Sequence, residues 1–274
     1  TDGAVVPMFL VRGADATGPR PTILYGYGGF GIPLTPEFRL WWTAWLERGG
    51  IIAVGCFRGG AEYGRAWHDA GRLDQKHHTF DDALACASWL VDEGWTTSPQ
   101  LAITGGSNGG LTAAASMIRA PEAFGACVPE VGVLDLLRFH RFTIGWGWTS
   151  DYGDPDDPED FPRIHRMSPL HTIAEGACYP PTLVTTADRD DRVVPAHSFK
   201  FTAAMQRAQG CDNPVLARID TRAGHGAGTP TSKVIDARAD VLAFLVHHLG
   251  DPAGHPTAVS GSGDGRPITR HAEG

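Results

Sequence analysis

The chain lacks the features that mark several large classes of protein. Its 274 residues contain no apolar run close to the roughly 20 residues that a membrane-spanning helix needs, so no membrane partner is expected. The net charge of −8 argues against a nucleic-acid partner, because binding phosphates requires a basic surface. No internal repeat is visible, which excludes a propeller or a solenoid for these residues. With 42% hydrophobic and 20% charged residues, the composition is instead that of an ordinary globular domain.

Cysteine is also scarce. The chain has five scattered cysteines without a C-x-x-C pair: Cys56, Cys86, Cys127, Cys178 and Cys211. Their odd number and apolar surroundings predict reduced, buried thiols, and no signal peptide is visible, so a cytoplasmic location is expected. The adjacent histidines His77 and His78 do not converge readily on one ion, and no other cluster suits zinc. We therefore predict neither a metal nor a cofactor.

Short apolar runs alternate with longer helical patterns along the chain, which predicts a mostly parallel sheet with helices on both faces. The predicted strands are Val5–Val11, Pro21–Tyr27, Gly50–Cys56, Leu101–Thr104, Ala126–Glu130, Pro181–Thr186 and Pro214–Ile219. The predicted helices are Glu37–Glu47, Phe80–Asp92, Asn108–Arg119, Ala196–Gln209 and Ser232–Leu249.

Local signals support two of the helix starts and one chain end. Thr35-Pro36 is typical of a first helical turn, and Thr79 with Asp82 fits a capping box. From Asp251 the sequence turns to glycine, proline, serine and charge without periodicity. We therefore predict one domain over residues 1–250 and a disordered tail over residues 251–274.

The segment Gly105–Gly110 carries the strongest chemical signal. It reads Gly-Gly-Ser-Asn-Gly-Gly, follows the apolar run Leu101–Ile103 and opens a helical pattern. A serine between glycines at a strand-to-helix turn is the nucleophile elbow of α/β-hydrolases. Such a turn would expose the hydroxyl of Ser107 at the sheet edge and direct the backbone N–H of Asn108 toward an oxyanion.

A nucleophilic serine needs an acid and a base, which follow it in the order Ser, Asp or Glu, His in this class. Aspartates stand in Asp188–Arg192, directly after a predicted strand, and His225 lies between glycines after the next one. His225 would take the proton of Ser107, and an aspartate would orient its ring. The spacing alone does not decide which aspartate serves.

A second glycine-rich segment, Gly26–Gly31, matches the G-x-G-x-x-G pattern of dinucleotide-binding proteins. Pro33 and Pro36 interrupt the helix that should begin there, and Cys56 stands where an acidic residue is expected. We therefore do not assign nucleotide binding to this segment.

Several segments together resemble the catalytic domain of the prolyl oligopeptidase family, from about Asp2 to Leu249. The segments that carry the resemblance are Leu24–Phe30, Arg58–Gly64, Gly105–Gly110, Trp148–Gly153, Asp190–Pro195 and Gly224–Gly228. The resemblance implies an α/β-hydrolase fold and a catalytic triad of Ser107, Asp190 and His225. It also implies an oxyanion hole formed by the Tyr27 hydroxyl and the Asn108 amide.

The resemblance further implies a substrate site and a reaction. The residues that match the family's substrate-binding positions are Phe30, Val133, Trp148, Tyr152, Arg192 and Val193. The implied activity is that of a serine peptidase that cleaves short peptides after proline. A basic-residue oligopeptidase, an esterase and an inactive fragment stay open as alternatives.

The family carries a β-propeller that these residues lack, so the chain is expected to be a C-terminal piece of a longer protein containing one. The acidic run Asp154–Asp160 is interpreted as a solvated loop, with attraction of basic substrates as the alternative.

Overall fold

The computed structural model describes residues 2–226 and 229–254. Its seven strands form one sheet in the order β1-β3-β2-β4-β5-β6-β7, in which β1 pairs antiparallel with β3 and all other neighbours are parallel. The strands are β1 Met8–Val11, β2 Thr22–Gly26, β3 Ile51–Gly55, β4 Leu101–Gly106, β5 Ala126–Glu130, β6 Thr182–Ala187 and β7 Val215–Asp220. The predicted mostly parallel sheet is confirmed.

Helices cover both faces of this sheet, as predicted. The α-helices are α1 Leu40–Glu47, α2 Arg65–Asp69, α3 His77–Asp92, α4 Asn108–Arg119, α5 Thr149–Tyr152, α6 Phe161–Met167, α7 Pro169–Thr172, α8 Ala196–Ala208 and α9 Thr231–Leu249. Apolar side chains of α3, α4 and α8 fill the core on one face, and those of α1 and α9 fill it on the other. Among the described residues no helix is both long enough and apolar enough to cross a bilayer.

The predicted strands and helices all form, with shifted ends. One shift is in α1, which begins at Leu40 rather than near Thr35-Pro36. Arg39, the residue before the helix, is extended at φ −123° and ψ 114°. The backbone N–H of Leu34 donates to the Glu62 carboxylate at 2.8 Å, which holds this segment in a loop.

The predicted capping box of Thr79 and Asp82 is wrong, because α3 begins at His77 and encloses both residues. The Thr79 hydroxyl donates to the carbonyl of Arg58 at 2.7 Å. The Asp82 carboxylate accepts from the backbone N–H of Arg58 at 2.9 Å and from its guanidinium. Both side chains therefore anchor the loop after β3 instead of capping a helix.

The prediction of five reduced cysteines is also wrong. Cys178 and Cys211 form a disulfide, while Cys56, Cys86 and Cys127 are free and buried. The disulfide joins the segment before β6 to the segment after α8, which lie far apart in sequence but adjacent in space. Most of the predicted tail, residues 255–274, lies outside the described residues.

His197, at the start of α8, is a buried titratable group that predicts how stability changes with pH. It is 1% exposed, and its Nδ1 accepts a hydrogen bond from the backbone N–H of Asp135 at 3.0 Å. Burial lowers its pKa to about 4, with the positive charge of Lys200 acting in the same direction and the nearby Asp135 and Asp190 opposing it. The folded protein therefore holds His197 neutral, whereas the unfolded chain takes up the proton near pH 6.5.

We expect the free energy of unfolding to fall by about 2 kcal/mol between pH 7 and pH 5 through this residue alone, because only the unfolded chain gains the proton there. Chemical denaturation at both pH values measures this change. In His197→Gln the loss should be smaller by about that amount, whereas His77→Gln, at an exposed histidine, should lose as much as the wild type. An identical pH slope in the wild type and His197→Gln would contradict the assignment.

Candidate active site

Ser107 sits on a strained turn between β4 and α4. Its backbone has φ 57° and ψ −117°, a conformation that costs a non-glycine residue free energy. A Cβ atom at Gly105 or at Gly109 would lie 2.5 Å from the carbonyl oxygen of Gly26 in β2. Only glycine permits this close approach of strand, turn and helix. The turn thus has the geometry of the nucleophile elbow that the sequence predicts.

Asn108, the residue after the serine, begins α4 and is fully buried. Its backbone N–H belongs to the first turn of the helix, where N–H groups have no acceptor within the helix. Its side-chain amide donates to the carbonyl of Tyr27 and accepts from the hydroxyl of Tyr152 at 2.9 Å. Asn108 therefore connects the serine turn to the loop after β2 and to helix α5.

Tyr27 follows β2 and lies beside the serine. The Ser107 hydroxyl is close enough to Tyr27 to influence the pKa of the phenol. Burial raises the pKa of Tyr27 to about 12, although Ser107 and the positive charge of Arg192 act in the opposite direction. The phenol therefore stays protonated at neutral pH and can act as a hydrogen-bond donor next to the serine.

The structure pairs His225 with Asp190. Nδ1 of His225 lies 2.6 Å from Oδ2 of Asp190, whose side chain is fully buried. The other carboxylate oxygen accepts the backbone N–H groups of Arg192 at 3.0 Å and Val193 at 2.9 Å. These contacts fix the carboxylate, and through it the imidazole. Ser107 and His225 line one cleft of about 260 Å³.

The neighbouring aspartates, which the spacing left open, are placed differently. Asp188 accepts the backbone N–H of Ala223 at 3.3 Å and so supports the loop that carries His225. Asp191 is exposed. Among the aspartates of this segment, Asp190 is the one bonded to the imidazole.

Five of the predicted substrate-binding residues form one cluster, which we call the apolar patch: Phe30, Val133, Trp148, Tyr152 and Val193. Phe30 meets Tyr152 edge to face with ring centroids 5.4 Å apart, and Phe139 stacks beside Trp148 at 6.2 Å. The tyrosine and both valines are at most 2% exposed. Phe30 and Trp148 alone are partly exposed, so they present the surface of the patch.

Arg192, the sixth predicted substrate-binding residue, is exposed. Its guanidinium is close enough to Tyr27 to influence the pKa of the phenol. Within residues 2–226 and 229–254 no carboxylate, including those of Asp188 and Asp191, forms an ion pair with Arg192.

The acidic run Asp154–Asp160 carries counter-charges of its own. Asp156 pairs with Arg141 at 2.7 Å and with His140 at 3.1 Å, and Asp160 pairs with Arg163. These ion pairs favour the interpretation as a solvated surface loop over attraction of basic substrates.

A buried charge network that the sequence did not predict lies behind Tyr27 and the apolar patch. The ammonium of Lys76, fully buried, donates to the carbonyl of Gly28 at 2.7 Å and lies 3.5 Å from Asp151. Asp151 also accepts from His68 Nε2 at 2.9 Å and from the backbone N–H of Phe30 at 3.3 Å. Desolvation lowers the pKa of Lys76, and the Asp151 carboxylate opposes that shift.

This network ties the loop of Tyr27 to helix α5, which carries Tyr152. A lysine next to a histidine pair in a polar stretch gives no sequence signal of burial. Asp151 could be recognised within the segment Trp148–Gly153, but its partners Lys76 and His68 lie far from it in the sequence.

The sheet topology and the strained serine define the chain as an α/β-hydrolase. Residues 36–252 match the model of the prolyl oligopeptidase family, and the chain belongs to that family. It is 48% identical to a prolyl endopeptidase of Elizabethkingia miricola over 252 residues, which cover 91% of this chain and 36% of that protein. It is 44% identical to the dual function macrocyclase-peptidase of Galerina marginata, over 91% of this chain and 35% of that protein.

Solved structures agree with this assignment. One from work on two prolyl endopeptidases superposes with a TM-score of 0.87 at 50% identity, covering 91% of this chain and 35% of that one. The structure of oligopeptidase B from Leishmania major superposes with a TM-score of 0.88 at 29% identity, covering 92% of this chain and 36% of that one. The chain thus spans about a third of the length of the relatives that it matches.

Removing the Lys76 ammonium should destabilise the fold, because it leaves the Asp151 carboxylate buried with less compensation. We expect Lys76→Met to lower the free energy of unfolding by about 3 kcal/mol. The double variant Lys76→Met with Asp151→Asn should recover part of that loss, since it removes the stranded charge. Urea denaturation of the two single variants and the double variant measures this coupling; strictly additive losses would contradict it.

Proposed function

We propose that the chain is a serine peptidase domain that hydrolyses peptides on the carboxyl side of proline through an acyl-enzyme on Ser107. The observation that carries the proposal is the 2.6 Å contact between His225 and the buried Asp190, in one cleft with a serine on a strained turn. Family membership and the prolyl endopeptidase relatives support it.

In the proposed reaction, Oγ of Ser107 attacks the carbonyl carbon of the scissile bond and gives its proton to Nε2 of His225. Asp190 holds the Nδ1–H of the imidazole and stabilises the imidazolium that forms. The negative charge on the substrate oxygen is met by the Tyr27 hydroxyl and the Asn108 N–H, both neutral donors placed before the reaction.

Collapse of the tetrahedral intermediate breaks the C–N bond, and His225 gives its proton to the leaving nitrogen. Water then attacks the ester on Ser107, and His225 takes its proton as base. The bond between the carbonyl carbon and Oγ of Ser107 breaks, His225 returns the proton to Oγ, and the new carboxylate is released.

The apolar patch supports selection of proline. The partly exposed faces of Phe30 and Trp148 offer a flat aromatic surface to a pyrrolidine ring. A basic residue would need a carboxylate there. Asp151, the carboxylate beside the patch, is 2% exposed and already bonded to Lys76 and His68, which disfavours a basic-residue oligopeptidase.

Further features of the whole protein are proposed with this activity. The relatives extend far beyond the matched region, which supports a β-propeller as partner of this domain.

Arg192 is proposed to bind a substrate carbonyl. The predicted cytoplasmic location rested on five reduced cysteines; the disulfide removes two of them from that argument, and the location stays a prediction.

Hydrolysis of matched chromogenic dipeptides with Pro, Arg or Phe before the scissile bond tests the proposal. We expect turnover selective for proline by at least about tenfold, since the patch offers apolar contact and no partner for a cation. Ser107→Ala should be folded and inactive. Turnover that survives this substitution would contradict the nucleophile. An inactive wild type that also resists a fluorophosphonate probe, although folded, would favour the inactive-fragment alternative.

Replacing the two adjacent aspartates separately tests the assignment of the triad acid. Asp190→Asn should lower kcat by roughly 10⁴-fold, because the amide no longer fixes the imidazole tautomer. Asp191→Asn, one residue further on and exposed, should change kcat little. Circular dichroism confirms that both variants fold. The assignment is off by one residue if Asp191→Asn proves to be the damaging change.

A further inference from the structure

The cleft that contains Ser107 and His225 extends away from the apolar patch. Its other walls include Tyr25, Arg39, Trp41 and Arg238, and none of the five patch residues lines it. Tyr25 comes from β2, Arg39 and Trp41 from the start of α1, and Arg238 from α9. This surface is therefore built by elements other than those that form the patch.

The cleft lies where the leaving part of a substrate must go. His225 has to reach the leaving nitrogen in order to protonate it, so the leaving peptide lies next to this imidazole. The residue before the scissile bond occupies the apolar patch, according to the proposed function. A peptide bound across Ser107 would then place its leaving residues in the cleft shared by Ser107 and His225.

Arg39 is the cation in this cleft that is best placed to meet a ligand. Its guanidinium lies 4.3 Å from the ring of Tyr25 and 4.7 Å from the ring of Trp42, so two aromatic faces hold it in position. Stacking on a ring leaves the N–H groups at the guanidinium edge available as donors. The Glu37 carboxylate accepts from Nε and from one terminal nitrogen of Arg39, whose guanidinium has five N–H donors.

The pair of Arg39 with Glu37 is a weak one. Glu37 stands two residues before Arg39, and its side chain is 49% exposed. Ion pairs with such an exposed partner contribute little stability, so a ligand carboxylate can compete with Glu37. Arg238 differs, because both oxygens of Glu130, 13% exposed, accept from it at 2.9 and 2.7 Å. That pair serves as a wall of the cleft.

We propose that this cleft is a leaving-side subsite that favours peptides with a carboxylate one or two residues after the scissile bond, bound by Arg39 beside the Trp41 ring. The carboxylate belongs to an aspartate or glutamate side chain or to the end of a short peptide. This inference rests on the proposed function, since that function sets the direction in which the substrate lies.

Competition between two matched peptides tests it. A blocked Gly-Pro-Glu-Ala amide and its Gly-Pro-Gln-Ala counterpart, mixed in one reaction, give the ratio of their kcat/KM values directly. We expect the wild type to favour the Glu peptide about threefold to tenfold, and less at 0.5 M salt. Arg39→Gln should bring the ratio close to one.

Two further variants sharpen the result. Glu37→Gln should raise the preference, because it removes the competing carboxylate, and it keeps the test decisive if Arg39→Gln does not fold. Arg48→Gln is the matched control, since Arg48 ends the same helix and pairs with Asp251 outside the cleft. The subsite is overturned if the wild-type ratio is close to one, or if neither Arg39→Gln nor Glu37→Gln changes the ratio.

Binding separates this inference from the proposed function. If the wild type cleaves neither peptide nor a chromogenic Gly-Pro substrate, the proposed function fails. Calorimetric binding of the two peptides to Ser107→Ala, with and without Arg39→Gln, then decides the subsite. Tighter binding of the Glu peptide that depends on Arg39 supports it, whereas equal binding of the two peptides overturns it.

Discussion

The side-chain amide of Asn108 is the contact on which the arrangement of the site depends. It donates to the Tyr27 carbonyl and accepts from the Tyr152 hydroxyl, in a fully buried position. The Thr112 hydroxyl, one helical turn further along α4, also donates to the Tyr27 carbonyl at 3.0 Å. One helix start thereby sets the serine turn, the loop of the proposed oxyanion donor and the tyrosine of the apolar patch. Such a buried amide holds its neighbours only while both of its ends are paired.

Buried charges also hold the loops around the site. The loop after β2 and the loop after β3 lie outside the named strands, so many of their backbone groups need acceptors and donors other than the strand ladder. Lys76 binds the Gly28 carbonyl, and Asp82 binds the backbone N–H of Arg58. Each charge has its counter-charge close by, which limits the free energy that burial costs. The geometry near Ser107 is thus supported by buried ion pairs.

Local patterns predicted the parts of the site that local chemistry determines. Glycines around Ser107 are required by close backbone approach, so the turn could be read directly from the sequence. The aspartate that pairs with His225 could not, because this depends on which carboxylate receives the amides of Arg192 and Val193. Burial of Tyr152, the pairing of Cys178 with Cys211 and the use of Thr79 outside a helix cap also depend on distant parts of the chain. Spacing carries no signal for such contacts.

The two sides of Ser107 are built by different parts of the chain, and this has a consequence for selectivity. Most of the apolar patch comes from the long connection between β5 and β6, whereas the walls of the opposite cleft come from β2, α1 and α9. The patch is a buried aromatic cluster whose shape follows from packing. The cleft is lined by two guanidinium groups, of which Arg39 pairs with the partly exposed Glu37 and Arg238 with the more buried Glu130. Because residues without shared partners act additively, selectivity before and after the scissile bond can change independently in the proposed peptidase. The elements common to both sides are the serine turn and His225, to which the proposed reaction assigns the nucleophile and the base.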